Sequence, residues 1–166
     1  MPDYRHQPQS QGRTRGDTPQ PSAHLQAIKS AIGNQPMADF KPEKFAEREG
    51  LAEQFIKAIK DDKKARGLNS TQLRKIFHQV KKLEQQFRSK NHDYVIPRTE
   101  IAMLSAQLAY ASGRDLIPND FFELVTYCLD FKRCSTKADF DNVAKFLEAL
   151  MAYHKYYSTK KGGDND

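Results

Sequence analysis

Between Leu51 and His154 the large apolar residues recur at spacings of three and four, and no segment sustains the period-two alternation of a half-buried strand. That periodicity points to an all-α fold. A first helix is expected from Pro42, a residue tolerated at the first helical position, with Leu51, Ala52, Phe55, Ile56 and Ile59 as its apolar face. Gly50 is placed to bend or interrupt it, and Gly67 to close it. A second opens at Asn69 or Ser70, both good N-caps with Gln72 set for a capping box, and runs to about Arg88. A third, from about Pro97 to Gly113, is apolar or small nearly all round, the pattern of a central helix. A fourth, from Pro118 or Asn119 to Arg133, buries Phe121, Phe122, Val125, Cys128 and Leu129. Thr136 and Asp139 read as a capping box ahead of the fifth, which carries Phe140, Val143, Leu147, Leu150, Met151 and His154 on one stripe. Joined by short connections, these make a compact five-helix bundle.

The ends of the chain do not share this pattern. Residues 1–41 are rich in Gln, Pro, Ser, Gly and Arg, and bury too little to offset their ordering entropy; they are expected as a disordered tail, with a transient helix around 24–32. Residues 159–166 read as an acidic, frayed tail. The helical domain is therefore placed at 42–158, within the 166 residues that suit one domain. No run of about 18 apolar residues exists and the N-terminus has no apolar signal core, so a cytoplasmic protein with no membrane partner is expected. Cys128 and Cys134 are too few for a disulfide scaffold and are read as packing thiols.

Charge is the second constraint. Between Lys57 and Lys90 stand eleven basic side chains and three acidic ones, a net of +8 in a chain whose total is +6. On a helix advancing about 100° per residue, Arg74, Lys75, His78, Lys81, Lys82, Gln85 and Arg88 share one arc, while Leu73, Ile76, Phe77, Val80, Leu83 and Phe87 fill the opposite one. A ladder of cations costs a few tenths of a kcal/mol per like pair, and a merely solubilising face would normally intersperse acids. The ladder, with Lys63, Lys64 and Arg66 just before it, therefore reads as a surface for phosphates, helped by the positive end of the helix dipole. Gln72 and Arg74 would also serve a helix-turn-helix reading of DNA, and Tyr110, Tyr153, Tyr156 and Tyr157 are the aromatics available for stacking on single strands. Geometry alone leaves RNA and DNA both open, and leaves a protein–protein scaffold with a solvated basic face as the bland alternative.

Catalytic signatures are missing from the sequence. It holds no Gly-rich phosphate loop, no Gly-x-Ser-x-Gly and no His-Glu-x-x-His; its carboxylates are scattered and its histidines do not pair with ligand spacing. No enzyme, metal or cofactor is expected. His154, in the middle of an apolar stripe, reads as a hydrogen-bonded core histidine.

Three blocks, in order, resemble one family. Residues 69–77, Asn-Ser-Thr-Gln-Leu-Arg-Lys-Ile-Phe, are similar to the segment opening the second helix of small subunits of type III-A CRISPR–Cas (Csm) effector complexes. Residues 108–114, Leu-Ala-Tyr-Ala-Ser-Gly-Arg, resemble the family's Leu-x-Tyr-x-x-Gly-Arg, and residues 146–155 its C-terminal helix. The resemblance implies a non-catalytic subunit, present in several copies beside the backbone and large subunits, lining the channel that holds crRNA paired with target RNA. It implies that Lys63, Lys64, Arg66, Arg74 and Lys75 contact the RNA backbone, with Arg114 as a further candidate; the basic arc adds His78, Lys81 and Lys82 to the expected RNA-binding set.

Overall fold

The computed structural model describes residues 21–61 and 67–160. Among them stand six helices of ten residues or more and one short one: α1 (Ala23–Ile32), α2 (Pro42–Ala46), α3 (Leu51–Asp61), α4 (Ser70–Gln86), α5 (Arg98–Gly113), α6 (Asn119–Leu129) and α7 (Lys137–Lys160), with a 3-10 turn at Met37–Asp39. Among the described residues there is no strand, only an isolated bridge between Val95 and Thr136. The all-α class expected from the periodicity is the class observed, with helix at each of the five expected places, the first of them divided in two.

The centre of the molecule is α7. It buries Phe140, Val143, Ala144, Phe146, Leu147 and Leu150, and α2, α3, α4, α6 and the 3-10 turn all pack on it. Phe146 meets Phe40 and Phe45 in an aromatic cluster with ring centroids 5.1–6.1 Å apart. The central position expected for the third helix therefore belongs to the fifth. Helix α5 is peripheral: it buries Ile101, Leu104, Leu108 and Ala111, while Met103 and Tyr110 are 58% and 64% exposed. Alanine stabilises a helix on either side of the surface, so a run of small residues does not distinguish burial from exposure.

A second correction concerns the start of the fold. Residues 21–41, expected to belong to a disordered tail, are packed into the core, with Leu25, Ile28, Ile32, Met37 and Phe40 at most 2% exposed. Ser22 caps α1 by accepting from the Leu25 amide, and Gly33 ends it with φ +63°, a conformation that glycine adopts without a Cβ penalty. Arg133 then fastens this end: its guanidinium lies 3.6 Å from the Tyr127 ring centroid and its Nε donates to the Gly33 carbonyl at 3.0 Å. Asn142 donates to the Met37 and Phe40 carbonyls, closing the turn onto α7. Composition hid this because five well-spaced apolar residues are enough when a finished surface receives them. At the other end α7 runs to Lys160, two residues into the expected tail of 159–166, and residues 1–20 and 161–166, where the rest of the tail expectations fall, lie outside the described residues.

Local signals explain most boundaries. The first expected helix is two, broken at Glu47–Gly50, where a Cβ on Gly50 would sit 2.7 Å from the Glu47 carbonyl oxygen. Glu49 holds φ +63°, stabilised by donation from its amide to the Glu53 carboxylate. Helix α3 is followed to Asp61, and the expected closure at Gly67 turns on residues 62–66, which lie outside the described residues. Helix α6 stops at Leu129, four residues short of Arg133, because Asp130 turns extended with ψ 134°; its carbonyl then starts a separate turn by taking the amides of Arg133 and Cys134, each at 2.8 Å. The Thr136/Asp139 capping box forms reciprocally: Thr136 N donates to Asp139 Oδ2 at 3.0 Å and Asp139 N to Thr136 Oγ1 at 3.3 Å. Cys128 and Cys134 are free and buried; desolvation pushes the Cys128 thiol up to about 12 and the Cys134 thiol higher still. No helix among the described residues is long and apolar enough to cross a membrane.

Candidate nucleic-acid interface

Helix α4 divides as its sequence divides. Leu73, Ile76, Val80 and Phe87, just past its end, are buried, Phe77 and Leu83 are half-buried against the core, and Arg74, Lys75, His78 and Lys82 are exposed. Two fastenings set its start. Asn69 Oδ1 accepts from the amides of Thr71 at 2.8 Å and Gln72 at 3.4 Å, the expected cap. One residue earlier, the Leu68 carbonyl is bonded at 2.7 Å to Nε2 of His154 on α7. His154 is thus the hydrogen-bonded core histidine expected from its place on the stripe, and burial lowers its pKa. The basic face begins at a point held by the centre of the fold.

The cations of the ladder are not equivalent. Arg74, Lys75 and Lys82 have no ion-pair partner among the described residues. Lys81 is already answered: its Nζ lies 2.8 Å from Glu84 and 3.3 Å from Glu148 of α7, and 5.4 Å from the Phe77 ring centroid. The Glu84 bond, ahead of the Glu148 one, raises its pKa. It ties α4 to α7 and is poorly placed to serve a ligand. Lys57 is likewise paired with Glu53 at 3.4 Å. Lys63, Lys64 and Arg66 lie outside the described residues.

The structure brings Arg74, Lys75 and His78 together with Arg114. All four line a groove of about 720 Å³ between α4 and α5, with Gln107 and Tyr110 on the α5 side. Arg114 Nη1 donates to the Tyr110 hydroxyl at 3.0 Å and its guanidinium lies 5.5 Å from that ring's centroid. Of the four tyrosines considered for stacking, Tyr110 is the one that lines this groove. Tyr153 donates to the Ala46 carbonyl of α2 at 2.8 Å and Tyr157 to Glu53 of α3, so both are engaged where α7 meets those helices. Glu53 is buried there, and the Tyr157 hydroxyl and Glu49 amide, with Lys57, hold its pKa down at about 2. The α4–α5 pairing was legible only in part: Tyr110 and Arg114 stand four apart on one helix, but nothing in the sequence says which helix they face. A second basic cluster, Lys137 and Lys145 with Arg88, is compensated by Glu84 and Asp141 in a mixed-charge hollow.

No group of three or more His, Cys, Asp or Glu side chains among the described residues is arranged to hold a metal ion. What the groove can do is bind: an apolar floor, amides, an aromatic ring and unpaired cations suit a polyanion that carries flat rings.

A small all-α protein with a one-sided basic helix is the class these observations define. Comparison with known proteins narrows it. Residues 44–160 match the family model described as Csm2 Type III-A, and the chain belongs to that family. It is similar to the CRISPR system Cms protein Csm2 of Streptococcus thermophilus, 26% identical over 110 residues that cover 66% of this chain and 89% of the relative. No solved structure matches. Family membership makes the chain a structural small subunit of a type III-A CRISPR complex, as the three sequence blocks implied.

Proposed function

We propose that this subunit is non-catalytic and holds RNA by its backbone, with the exposed face of α4 turned toward the crRNA–target RNA channel of the complex. Arg74 and Lys75 carry the contact, with Lys82, His78 and Arg114 beside them and Lys63, Lys64 and Arg66 in the preceding segment; Lys81 is left out because two carboxylates already hold it. The observation that supports this reading is the set of cations without ion-pair partners on a helix fixed from behind by Leu73, Ile76 and Val80. Phosphate contacts position a protein without reading sequence, and in RNA-guided complexes base pairing supplies the specificity. In this reading the protein acts in the cytoplasm in antiviral defence, in several copies packed beside backbone and large subunits, and the apolar outward face of α5 around Met103 supports such packing.

The test is purification of the tagged full chain from its host, with sequencing of bound RNA and identification of bound proteins. Recovery of repeat-derived guide RNA with the other subunits is the expected result. Recovery of the subunits with no RNA-dependent association of this chain would favour the scaffold reading instead.

A further inference from the structure

Phosphate binding leaves part of the α4–α5 groove unexplained. A surface that only neutralises phosphates needs cations, and needs neither an exposed aromatic ring nor an apolar floor. Here the floor is apolar, made by Ile76, Leu104, Leu108, Ala111 and Leu116, the first four already buried in the core and so fixed in place. Tyr110 stands at the α5 rim with 64% of its surface exposed, and its hydroxyl accepts from Arg114, which pins the ring beside the groove. Across from it, one helix away, are Arg74 and Lys75, which have no ion-pair partner among the described residues. The volume, about 720 Å³, lies within the range of pockets that enclose small ligands, roughly 300–1,000 Å³.

Resting on the backbone-binding reading above, we propose that this groove holds one unpaired nucleotide of single-stranded RNA, its base stacked on Tyr110 and its flanking phosphates on Arg74 and Lys75. The chemistry of each wall fits one part of that ligand. The ring and the apolar floor take the π-face of any base, since stacking on an aromatic side chain does not depend on base identity. Gln72, Gln79 and Gln107 offer amides that both donate and accept, so they can meet a base edge of either kind. A base already paired and stacked within a duplex cannot reach the ring, so the groove selects an unpaired position. An apolar helix from a partner protein fits the floor but would bury Arg74, Lys75 and Arg114 without counter-charges, which is costly.

The experiment uses the full chain with a short oligouridylate carrying one 5-iodouridine, against an RNA duplex of equal length. Ultraviolet crosslinking followed by peptide mapping should place the adduct on Tyr110 for the single strand and not for the duplex. In binding titrations Tyr110→Phe should retain affinity for the single strand. Tyr110→Ala should weaken it about five- to 150-fold, the factor equivalent to about 1–3 kcal/mol of base stacking, with the salt slope unchanged because no charge is removed. Tyr110 is exposed, and an unchanged melting temperature of both variants verifies that the fold is intact. Salt-sensitive RNA binding that Tyr110→Ala leaves untouched, with crosslinks elsewhere, would overturn the nucleotide site while leaving the phosphate reading in place. Loss of assembly with the other subunits in Tyr110→Ala, at unchanged RNA affinity, would assign the groove to a protein partner and also overturn it. Absence of any salt-sensitive RNA binding in the unmutated chain would sink both.

Discussion

Single side chains in this protein divide into those whose charge is settled inside the fold and those whose charge is left open. Glu53 is the clearest of the first kind. Its pKa is held at about 2 by Tyr157, Glu49 and Lys57, below the ordinary 4.5, so the folded state favours the carboxylate. The stability this supplies is complete above about pH 4.5 and is lost as pH falls from there toward 2, because the unfolded chain takes up the proton first. Glu53→Gln should lower the urea midpoint at pH 7 by the equivalent of about 1–3 kcal/mol and flatten the loss between pH 4.5 and 3. Denaturation curves at pH 7, 4 and 3 check both. Arg74 and Lys75 are of the second kind, and their removal should leave the melting temperature nearly unchanged, since exposed substitutions usually cost less than about 0.5 kcal/mol. The sequence distinguished these kinds poorly. Lys81 shares the arc of Arg74 and Lys75, and only the approach of Glu148 from α7 shows that it belongs to the first.

Elements were more legible than residues wherever the signal was local. The Asn69 cap, the Thr136/Asp139 box and the split faces of α4 depend on neighbours in the chain, and all three formed as their spacing implies. Signals that depend on partners failed in both directions. Helix α5 looks central and is peripheral; α1 looks like tail and is core. Two predictions belong here. Ile28→Ala, in a segment whose composition reads as disordered, should cost about 2–5 kcal/mol, as truncation of a buried aliphatic side chain does. A thermal melt showing no loss would mean that α1 is not docked. His154→Ala should free the Leu68 carbonyl and loosen the start of α4, which hydrogen exchange would register as faster amide exchange in the residues just after Asn69. Because burial lowers the His154 pKa, the unfolded state binds its proton more tightly, and stability should fall as pH drops through and below 6.5. That slope should be absent in His154→Ala.

At the scale of the whole molecule, α7 gathers the other elements around it, and the segment at 21–41 seals a side of the bundle outside the 44–160 stretch shared with the Csm2 family. The opposite arrangement holds at α4 and α5, where one wall of a groove is charged and the outward face of the other is apolar and unpartnered among the described residues. A closed side and an open side are what a subunit needs to be stable alone and still have surface for partners. The all-α class, the boundaries of α4 and the family itself were readable from the chain, because periodicity, caps and three ordered blocks are local. The groove was not, because it is made by two helices whose relative position the core decides. The measurement that bears most directly on the central claim is the salt dependence of RNA binding by the full chain. If about four phosphates are neutralised, log K against log[salt] should have a slope near −3 for a single strand, at about −0.7 per phosphate. The double variant Arg74→Ala, Lys75→Ala should bind more weakly across sequences, with the slope flattened by about 1.4. A flat slope in the unmutated protein, or an unchanged one in the double variant, would contradict the assignment of RNA to this face.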